Sequence, residues 1–213
     1  MNTEVSGTVI PELIVEKNQW LQVTDGILYQ ATGGQPASQR TAIEVLAEQD
    51  GLTVKFICYD NPYTAFNTYK DHNTDMWNQE VFELFIASGL EVPKRYLELE
   101  INPNNALFTA WVDNPDGLSL DLTMVPHAEA GVRHSVEVGE NEWSGSFFVP
   151  FSLIGNAENY RLNFYRIALH QQPEGDNWVG DVGNSSYLCW NATLSGEEPA
   201  FHRPARFGIL RKI

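Results

Sequence analysis

The segment 71–87, DHNTDMWNQEVFELFIA, constrains the fold more than any other part of the chain. It begins as a polar loop, passes a tryptophan, and becomes a dense run of residues that favour β-strands. In an extended strand, alternate side chains point to opposite faces. One face would carry Glu80, Phe82, Leu84 and Ile86, and the other Trp77, Gln79, Val81, Glu83 and Phe85. Both faces are mostly apolar, so the segment predicts a central strand that is covered on both sides, with carboxyl groups near its start.

The other predicted strands are separated by turn residues at short intervals. Asp50-Gly51 lies between two alternating runs, 40–49 and 52–60, and predicts a hairpin whose two turn residues have positive φ. Further strands are predicted at 26–32, 95–102, 107–114, 118–125, 132–138, 142–150, 161–169, 187–194 and 201–213. Two long polar loops are predicted, at 61–74 and 171–186, and such loops often carry functional groups.

Helices contribute little to the predicted fold. No segment predicts a helix longer than about two turns, and 151–154 predicts a single turn or a short helix. The sequence contains no repeat, low-complexity tract or linker. The pattern therefore predicts an all-β chain: one antiparallel β-sandwich, jelly-roll or immunoglobulin-like, that spans 1–213 with an irregular lead-in at 1–20.

The register of the second hairpin decides which side chains share a face. A four-residue loop at 103–106 would pair residue 102 with 107, 100 with 109 and 98 with 111. That register places Glu98, Glu100, Asn102, Thr109 and Trp111 on one face. A loop of odd length would break it, because a slip of one residue turns every side chain of a strand to the other face.

Charge and the N-terminal segment limit the partners and the location. The chain has 13 basic and 28 acidic residues, a formal net charge of −15. Nucleic acids and anionic membranes both require basic patches, so neither is expected as a partner, whereas neutral sugars and cations are compatible. Met1 is followed by no basic segment and no long apolar run, which predicts neither a signal peptide nor a transmembrane segment. The protein would be cytoplasmic, or secreted with its leader removed.

The two cysteines and the acidic loops leave alternatives open. Cys58 and Cys189 are too few for a disulfide framework, and neither belongs to a CxxC pair. Both lie in apolar runs, which favours buried free thiols, and a single bridge between them stays open. Calcium binding through the Asp/Asn loops at 113–116 or 175–181 also stays open, since neither loop matches a coordination template.

The tryptophans are the first candidates for a ligand site. A sugar presents an apolar face of C–H groups and a rim of hydroxyls, so its site needs flat rings and planar polar groups. The chain has 6 tryptophans. In the register above, Trp111 shares a polar face with Glu98 and Glu100, where it would contact a ligand or be covered by a loop. Arg166, in the apolar run NFYRIA, would pair with a buried carboxylate or donate to ligand hydroxyls.

Catalysis and haem binding receive less support from the pattern. Glu98 and Glu100 would lie about 6–7 Å apart on one strand face and point the same way, so they straddle a glycosidic bond poorly. Haem needs a Met/His or His/His axial pair. The available side chains are Met76, Met124, His72, His127, His134, His170 and His202, and no spacing among them is diagnostic.

Five motifs resemble those of the family 9 carbohydrate-binding modules. They are TDMWNQEVFELFI, YLELEINPNNALFTAWV, NFYRIA, CWNATLSG and FHRPARFGIL, and the resemblance covers 52–210. It implies a β-sandwich that binds sugars, often attached to xylanases or other polysaccharide-degrading enzymes. It further implies a glycan end held between two tryptophan rings, with Trp77 and Trp190 nearest by motif position, and structural calcium. The wider superfamily resembles the cytochrome domain of cellobiose dehydrogenase, which keeps haem as an alternative.

We therefore expect a non-catalytic module that binds an oligo- or polysaccharide, of the xylan or cellulose type, with a glycoside hydrolase as its functional partner. The expected binding residues are Trp77, Glu98, Glu100, Asn102, Trp111, Arg166 and Trp190. No catalytic or metal-ligating residue is assigned. The alternatives are a glycoside hydrolase or its accessory subunit, and a domain that binds haem or another small ligand.

Overall fold

A computed structural model describes residues 10–175 and 178–213. Within these ranges the backbone forms fourteen strands in two sheets. The larger sheet runs in the order β1 (Glu12–Val15), β14 (Gly208–Lys212), β12 (Asn159–Leu169), β6 (Val81–Ser88), β7 (Arg95–Ile101), β8 (Leu107–Asp113) and β9 (Asp121–Met124). Strand β12 is long enough to pair with a further strand next to β14, namely β13 (Ser185–Cys189). Strand β13 in turn pairs with β3 (Tyr29–Gln30). The smaller sheet runs in the order β10 (Arg133–Val138), β11 (Glu142–Pro150), β5 (Gly51–Tyr59), β4 (Thr41–Ala47) and β2 (Trp20–Gly26).

The predicted all-β sandwich is confirmed. The helices of the described ranges are short: α1 (His127–Ala130), α2 (Phe151–Ile154) and three 3₁₀ turns at Thr64–Phe66, Met76–Asn78 and Pro204–Arg206. The pairing departs from a purely antiparallel sandwich at one edge, where β1 runs parallel to β14. No helix in this part of the chain has the length and apolar character that a bilayer crossing requires.

Strand β6 is covered on both faces, as the sequence predicts. Phe82 and Leu84 join the core between the two sheets, where the Phe82 and Phe56 rings stack at 4.0 Å. Phe85 belongs to a second apolar cluster on the outer face of the larger sheet. Loops that carry Met76 and Phe201 close over that second cluster. The outer face is therefore roofed by loops, and a cleft can form where the roof is open.

The first predicted hairpin is confirmed, but the expected turn conformation is wrong. Ala47 pairs with Leu52, and residues 48–51 connect the strands. Neither Asp50 nor Gly51 has positive φ. A Cβ at Gly51 would lie 2.4 Å from the Phe148 ring. The glycine is therefore required by the close approach of β11 rather than by the turn.

The register predicted for the second hairpin is wrong by one residue. Ile101 pairs with Leu107, so the connecting loop has five residues, and Leu97 pairs with Trp111. The Asn102 side chain explains the longer loop, because its Oδ1 accepts the N–H groups of Asn104 (3.1 Å) and Ala106 (3.0 Å). Trp111 consequently lies on the inner face with Leu97, opposite the glutamates of β7.

The predicted lead-in, 1–20, contains one short strand, β1, and strand β2 begins at its last residue. Residues 1–9 lie outside the described ranges, but β1 and most of β2 fall before the first predicted strand. The strand predicted at 26–32 is reduced to β3, which has two residues. Both early strands are sheet edges with many exposed positions, so their apolar pattern is weak.

Candidate ligand-binding cleft

A cleft of about 480 Å³ opens through the loop roof on the outer face of the larger sheet. Its floor holds three glutamates, Glu83 from β6 and Glu98 and Glu100 from β7. Its walls come from six separate segments of the chain. They include Trp77, Leu120, Leu122, Tyr187, Phe201 and His202.

The three glutamates converge because of strand register. Glu83 pairs directly with Glu100, and Glu98 lies two residues along the same strand face. One carboxylate oxygen from each residue lies within 4.8 Å of the other two. Like charges placed directly opposite one another destabilise a sheet, so this arrangement is unfavourable for folding by itself. We call these three residues the glutamate trio.

The trio is buried and short of hydrogen-bond partners. Its members expose 2%, 4% and 1% of their surface in chain order. Among the described residues, Oε2 of Glu98 and both carboxylate oxygens of Glu100 have no hydrogen-bond partner. Burial raises the pKa of Glu98 to about 7, and burial together with a neighbouring carboxylate raises the pKa of Glu83 and of Glu100 well above the ordinary value. The trio therefore retains protons near neutral pH.

His202 stands beside the trio as a neutral imidazole. Asn114 Nδ2 donates to the Tyr96 hydroxyl (3.2 Å), which directs the hydroxyl proton to His202 Nδ1 (2.8 Å). His202 Nε2 then carries the ring proton and faces Glu98 Oε1 at 3.9 Å. Burial lowers the pKa of His202 to about 4. At neutral pH this contact is therefore not an ion pair, and the imidazole supplies no positive charge to the floor.

Trp77 provides the most open ring of the cleft. It lies on the 3₁₀ turn Met76–Asn78, exposes 38% of its surface, and packs edge-on against Phe108 with ring centroids 5.1 Å apart. The turn is fixed by the buried Gln79 amide, which accepts from the Thr68 N–H (2.7 Å) and donates to the Trp178 carbonyl (3.2 Å). The indole face is therefore held at the cleft by a rigid support.

The other predicted tryptophans lie outside the cleft. Trp190 exposes 9% of its surface and packs edge-on against Phe164 in the core between the sheets. A Cβ at Gly208 would lie 2.3 Å from the Trp190 ring, which shows how closely β14 covers it. Trp111 is partly buried on the inner face, and the Arg95 guanidinium lies 5.4 Å from its ring centroid. The sequence analysis expected both rings at the ligand site, and the structure places neither of them in the lining of the cleft.

Arg166 and Asn102 also act elsewhere. Arg166 is fully buried and pairs with Glu80 (Nη2 to Oε1, 3.0 Å), as one of its two sequence alternatives proposed. Its Nη1 donates to the carbonyls of Arg40 (3.0 Å) and Tyr59 (3.2 Å), so no donor points at the cleft. The Asn102 amide holds the hairpin loop and donates to the Tyr69 carbonyl (2.9 Å).

Three residues of the cleft were not assigned to a sugar site by the sequence analysis. Alternation along the strand placed Glu83 on the face opposite Glu80, but nothing in the pattern assigned it to a ligand site. Tyr187 and His202 come from distant segments, and only the loop paths bring them to the trio. The sequence analysis therefore located two of the three floor glutamates, Glu98 and Glu100, and one wall residue, Trp77.

A second depression, of about 440 Å³, lies on the outer face of the smaller sheet. Its lining is mostly short polar and charged side chains, and its aromatic ring, Phe56, is buried. The exposed Trp20 ring beside it is covered by the Lys55 ammonium, which lies 4.2 Å from the ring centroid. The geometry therefore favours the cleft above the trio as the ligand site.

Comparison with known proteins identifies the fold. No family model matches the sequence. The crystal structure of a Bacteroides uniformis protein described as a carbohydrate-binding protein aligns over 96% of this chain and all of its own, with a TM-score of 0.66 and 16% identity. A family 9 module from Caldicellulosiruptor kristjanssonii in complex with glucose aligns over 95% of this chain and 96% of its own, with a TM-score of 0.57 and 11% identity. The chain has the fold of the family 9 carbohydrate-binding modules.

Two further similarities accompany this fold. The C. kristjanssonii module in complex with cellotriose aligns over 95% of this chain and 93% of its own, with a TM-score of 0.54 and 10% identity. In sequence, an "Extracellular protein" of Arthroderma benhamiae is 28% identical over 186 residues, which cover 82% of this chain and 78% of that protein. The resemblance drawn from the motifs therefore agrees with the fold.

In the loops considered for calcium, the carboxylates of Asp116 and Asp181 already accept hydrogen bonds within the loop. Asp116 accepts from the N–H groups of Leu118 (2.9 Å) and Ser119 (2.7 Å), which lowers its pKa to about 2. Asp181 caps its own loop through Gly183 (2.7 Å), and residues 176 and 177 of that loop lie outside the described ranges. Calcium at these loops remains an expectation from the sequence.

A second cluster of titratable side chains lies away from the cleft and consists of His72, His127 and His134. His72 and His127 stack with centroids 3.7 Å apart and an interplanar angle of 7°. A metal ion lies near the plane of each imidazole that binds it, about 2.0–2.1 Å from the nitrogen, so two parallel rings at this spacing do not share one ion. His72 Nδ1 also accepts the Leu107 N–H (3.0 Å). This arrangement does not fit a metal centre.

Proposed function

We propose that the protein is a non-catalytic carbohydrate-binding module and that its sugar site is the cleft above the glutamate trio. One observation carries the proposal: an exposed indole and three buried carboxyl groups face the same open space. The bound glucose and cellotriose of the C. kristjanssonii modules, which share this fold, support a saccharide as the ligand class.

The cleft offers both kinds of contact that a sugar requires. Trp77 presents a flat apolar face to the C–H groups of a pyranose, and Tyr187 adds a second ring in the same lining. The unpartnered oxygens of Glu98 and Glu100 accept from hydroxyls when ionised and donate to them when protonated. A volume of about 480 Å³ lies in the range of small-ligand sites.

The arrangement of the carboxyl groups favours binding over hydrolysis. A retaining glycosidase places its two carboxyl groups about 5–5.5 Å apart on either side of the scissile bond. Here the oxygens of Glu83, Glu98 and Glu100 all lie within 4.8 Å of one another on one floor. A sugar above them would meet every carboxyl group from the same side. Hydrolysis of aryl-glycosides by the purified protein would contradict this part of the proposal.

The finer role is proposed from the motif resemblance and from the cellotriose complex of a neighbour. Cellulose- or xylan-type glycans are the proposed ligands, and the proposed partner is a glycoside hydrolase that degrades them. A module of this kind keeps an enzyme near its polymer, because once the module has bound, the effective concentration of the linked enzyme at the polymer is raised.

The test compares two exposed tryptophans. Trp77→Ala removes the ring at the cleft, and Trp20→Ala removes a ring of similar exposure on β2 in the other sheet. Titration calorimetry and affinity electrophoresis on soluble glucans and xylans should show a loss of about 30-fold in affinity for Trp77→Ala, since a buried aromatic contact contributes about 2 kcal/mol. Trp20→Ala should bind as the wild type does. If no glycan binds the wild type, the proposed function fails.

A further inference from the structure

The carboxyl groups of the cleft floor have no cationic partner in the described part of the protein and retain protons near neutral pH. Among the described residues, no lysine or arginine lies within 4.0 Å of a trio carboxylate, and the one nearby imidazole is neutral. The contrast with Glu80 is direct, because that buried carboxylate accepts from Arg166, from Trp143 Nε1 (2.7 Å) and from the Leu169 N–H (3.1 Å). A buried carboxylate normally requires such partners, so the trio keeps its protons in their place, and a cation from outside is the partner that would allow it to ionise.

We propose that the cleft selects sugars that carry a positively charged amino group, with the ammonium placed among Glu83, Glu98 and Glu100 and the sugar ring on Trp77. This inference rests on the proposed function and names the class of sugar that the site prefers.

The spacing of the trio suits an ammonium group. Its three N–H bonds diverge tetrahedrally, and each charge-assisted hydrogen bond spans about 2.7–2.9 Å between nitrogen and oxygen. Three acceptors arranged in this way lie about 4.6 Å from one another, by the same bond lengths. The trio provides one oxygen per residue, all within 4.8 Å of one another. The unpartnered oxygens of Glu98 and Glu100 are the acceptors that such a donor would satisfy.

The walls favour an organic cation over a metal ion. Calcium takes six to eight oxygen ligands. Apart from the trio, the lining consists largely of rings and aliphatic side chains, among them Trp77, Leu122, Ile167 and Phe201. Aromatic faces attract ammonium groups, most strongly when both are shielded from water. The same rings that accept a sugar face would therefore stabilise its charge.

The other titratable groups described around the trio do not supply a cationic partner for its carboxyl groups. They are Tyr96 on β7, Tyr165 on β12, Tyr187 and Cys189 on β13, Asp75 before the 3₁₀ turn, and His202 and Arg203 in the last loop. Burial raises the pKa of the Tyr96 hydroxyl above its ordinary value and the pKa of the Cys189 thiol to about 12, so both stay neutral. Arg203 donates to the Gly117 carbonyl (3.2 Å) rather than to the trio. An entering ammonium would replace the protons that the trio retains near neutral pH.

The experiment uses three sugars that differ only at one carbon: glucosamine, N-acetylglucosamine and glucose. Titration calorimetry of the full chain at about pH 7 should show glucosamine binding about tenfold or more tightly than the other two, because a hydrogen bond to a charged group is worth more than one to a hydroxyl. Titrations in two buffers of different ionisation enthalpy should show proton release for glucosamine alone. Glu100→Gln should remove the preference, and Glu137→Gln, an exposed change on β10, should keep it.

The outcomes separate this inference from the proposed function. Equal binding of the three sugars, lost in Trp77→Ala, would overturn the amino-sugar preference and leave carbohydrate binding in place. Failure of all three sugars and of the soluble glycans would end both. Terbium luminescence sensitised by the cleft tryptophan and lost in Glu100→Gln, without any preference for glucosamine, would assign the trio to a metal ion instead. The wild-type sugar series decides the question even if the glutamine variant fails to fold.

Discussion

Glu80 and Glu83 are three residues apart, and the pleat of the chain sends them to opposite faces of the larger sheet. Glu80 meets Arg166 and the Trp143 indole, so its charge is neutralised within the core. Glu83 lies directly opposite Glu100 on the neighbouring strand, so ionisation of one carboxyl group disfavours ionisation of the other. The first environment stabilises the fold, and the second stores an unfavourable interaction at the floor of an open cleft, as functional sites often do.

The trio should make stability fall as pH rises. The folded-state pKa of Glu98 is raised from 4.5 to about 7, so its protonation favours the folded state fully below about 4.5 and that contribution is lost as pH rises through 7. Urea unfolding at about pH 5 and about pH 8 should show a loss of up to a few kcal/mol for the wild type without ligand. Glu98→Gln should show a smaller loss, because the amide does not titrate.

The exposed variant Glu137→Gln is the control for this pH dependence and should follow the wild type. Parallel pH profiles for the wild type and Glu98→Gln would show that Glu98 does not bind a proton in the folded state at neutral pH. They would also weaken the case that the trio needs a cation from outside.

Residue identity alone could not separate the tryptophans. Trp77 and Trp190 both follow from motif position, yet Trp77 lies on an exposed turn and Trp190 packs beneath Gly208 in the core. A tryptophan in an apolar run satisfies the sequence pattern of a core residue and of a binding ring equally well. Only the path of the neighbouring loops and strands decides which role each ring takes.

At the scale of elements, the loop that carries Trp77 is positioned by side-chain hydrogen bonds rather than by a strand. The buried Gln79 amide joins this loop to Thr68 and to the Trp178 carbonyl. Gln79→Ala should destabilise the protein by about 1–3 kcal/mol, because it leaves buried backbone groups without partners. It should also weaken glycan binding, since the indole loses its support.

The exposed Gln22→Ala change on β2 serves as the matched control and should alter neither quantity. Urea unfolding and calorimetry on the same samples measure both effects. A Gln79→Ala protein that loses stability while it keeps full affinity would show that Trp77 is positioned by its contact with Phe108 alone.

The pattern of apolar, β-forming residues predicted the central strands of the sheets well and the strands at the sheet edges poorly. Strands β6, β7 and β11 are recognisable because buried side chains recur along them. Strand β2 was missed because several of its side chains are exposed. The register of the second hairpin depended on one side chain, Asn102, whose hydrogen bonds enlarge the loop by one residue. That single residue reversed the predicted face of Trp111.

At the scale of the whole molecule, each sheet contains one buried free cysteine. Cys58 lies on β5 in the smaller sheet and Cys189 on β13 in the larger one. Burial raises the pKa of both thiols to about 12, so neither reacts readily in the folded state. The rates at which a thiol reagent labels these two cysteines therefore report whether the two sheets unfold as one unit.

The sequence predicts a single domain, and the core shared by both sheets gives the physical reason to expect cooperative unfolding. In urea below the transition, an excess of thiol reagent should label the two cysteines at the same rate, with Cys58→Ala and Cys189→Ala used to assign each signal. Because apolar residues of each sheet complete the core of the other, neither sheet can open alone without exposing it. Faster labelling of one thiol would show that its sheet opens separately and that the chain contains two folding units.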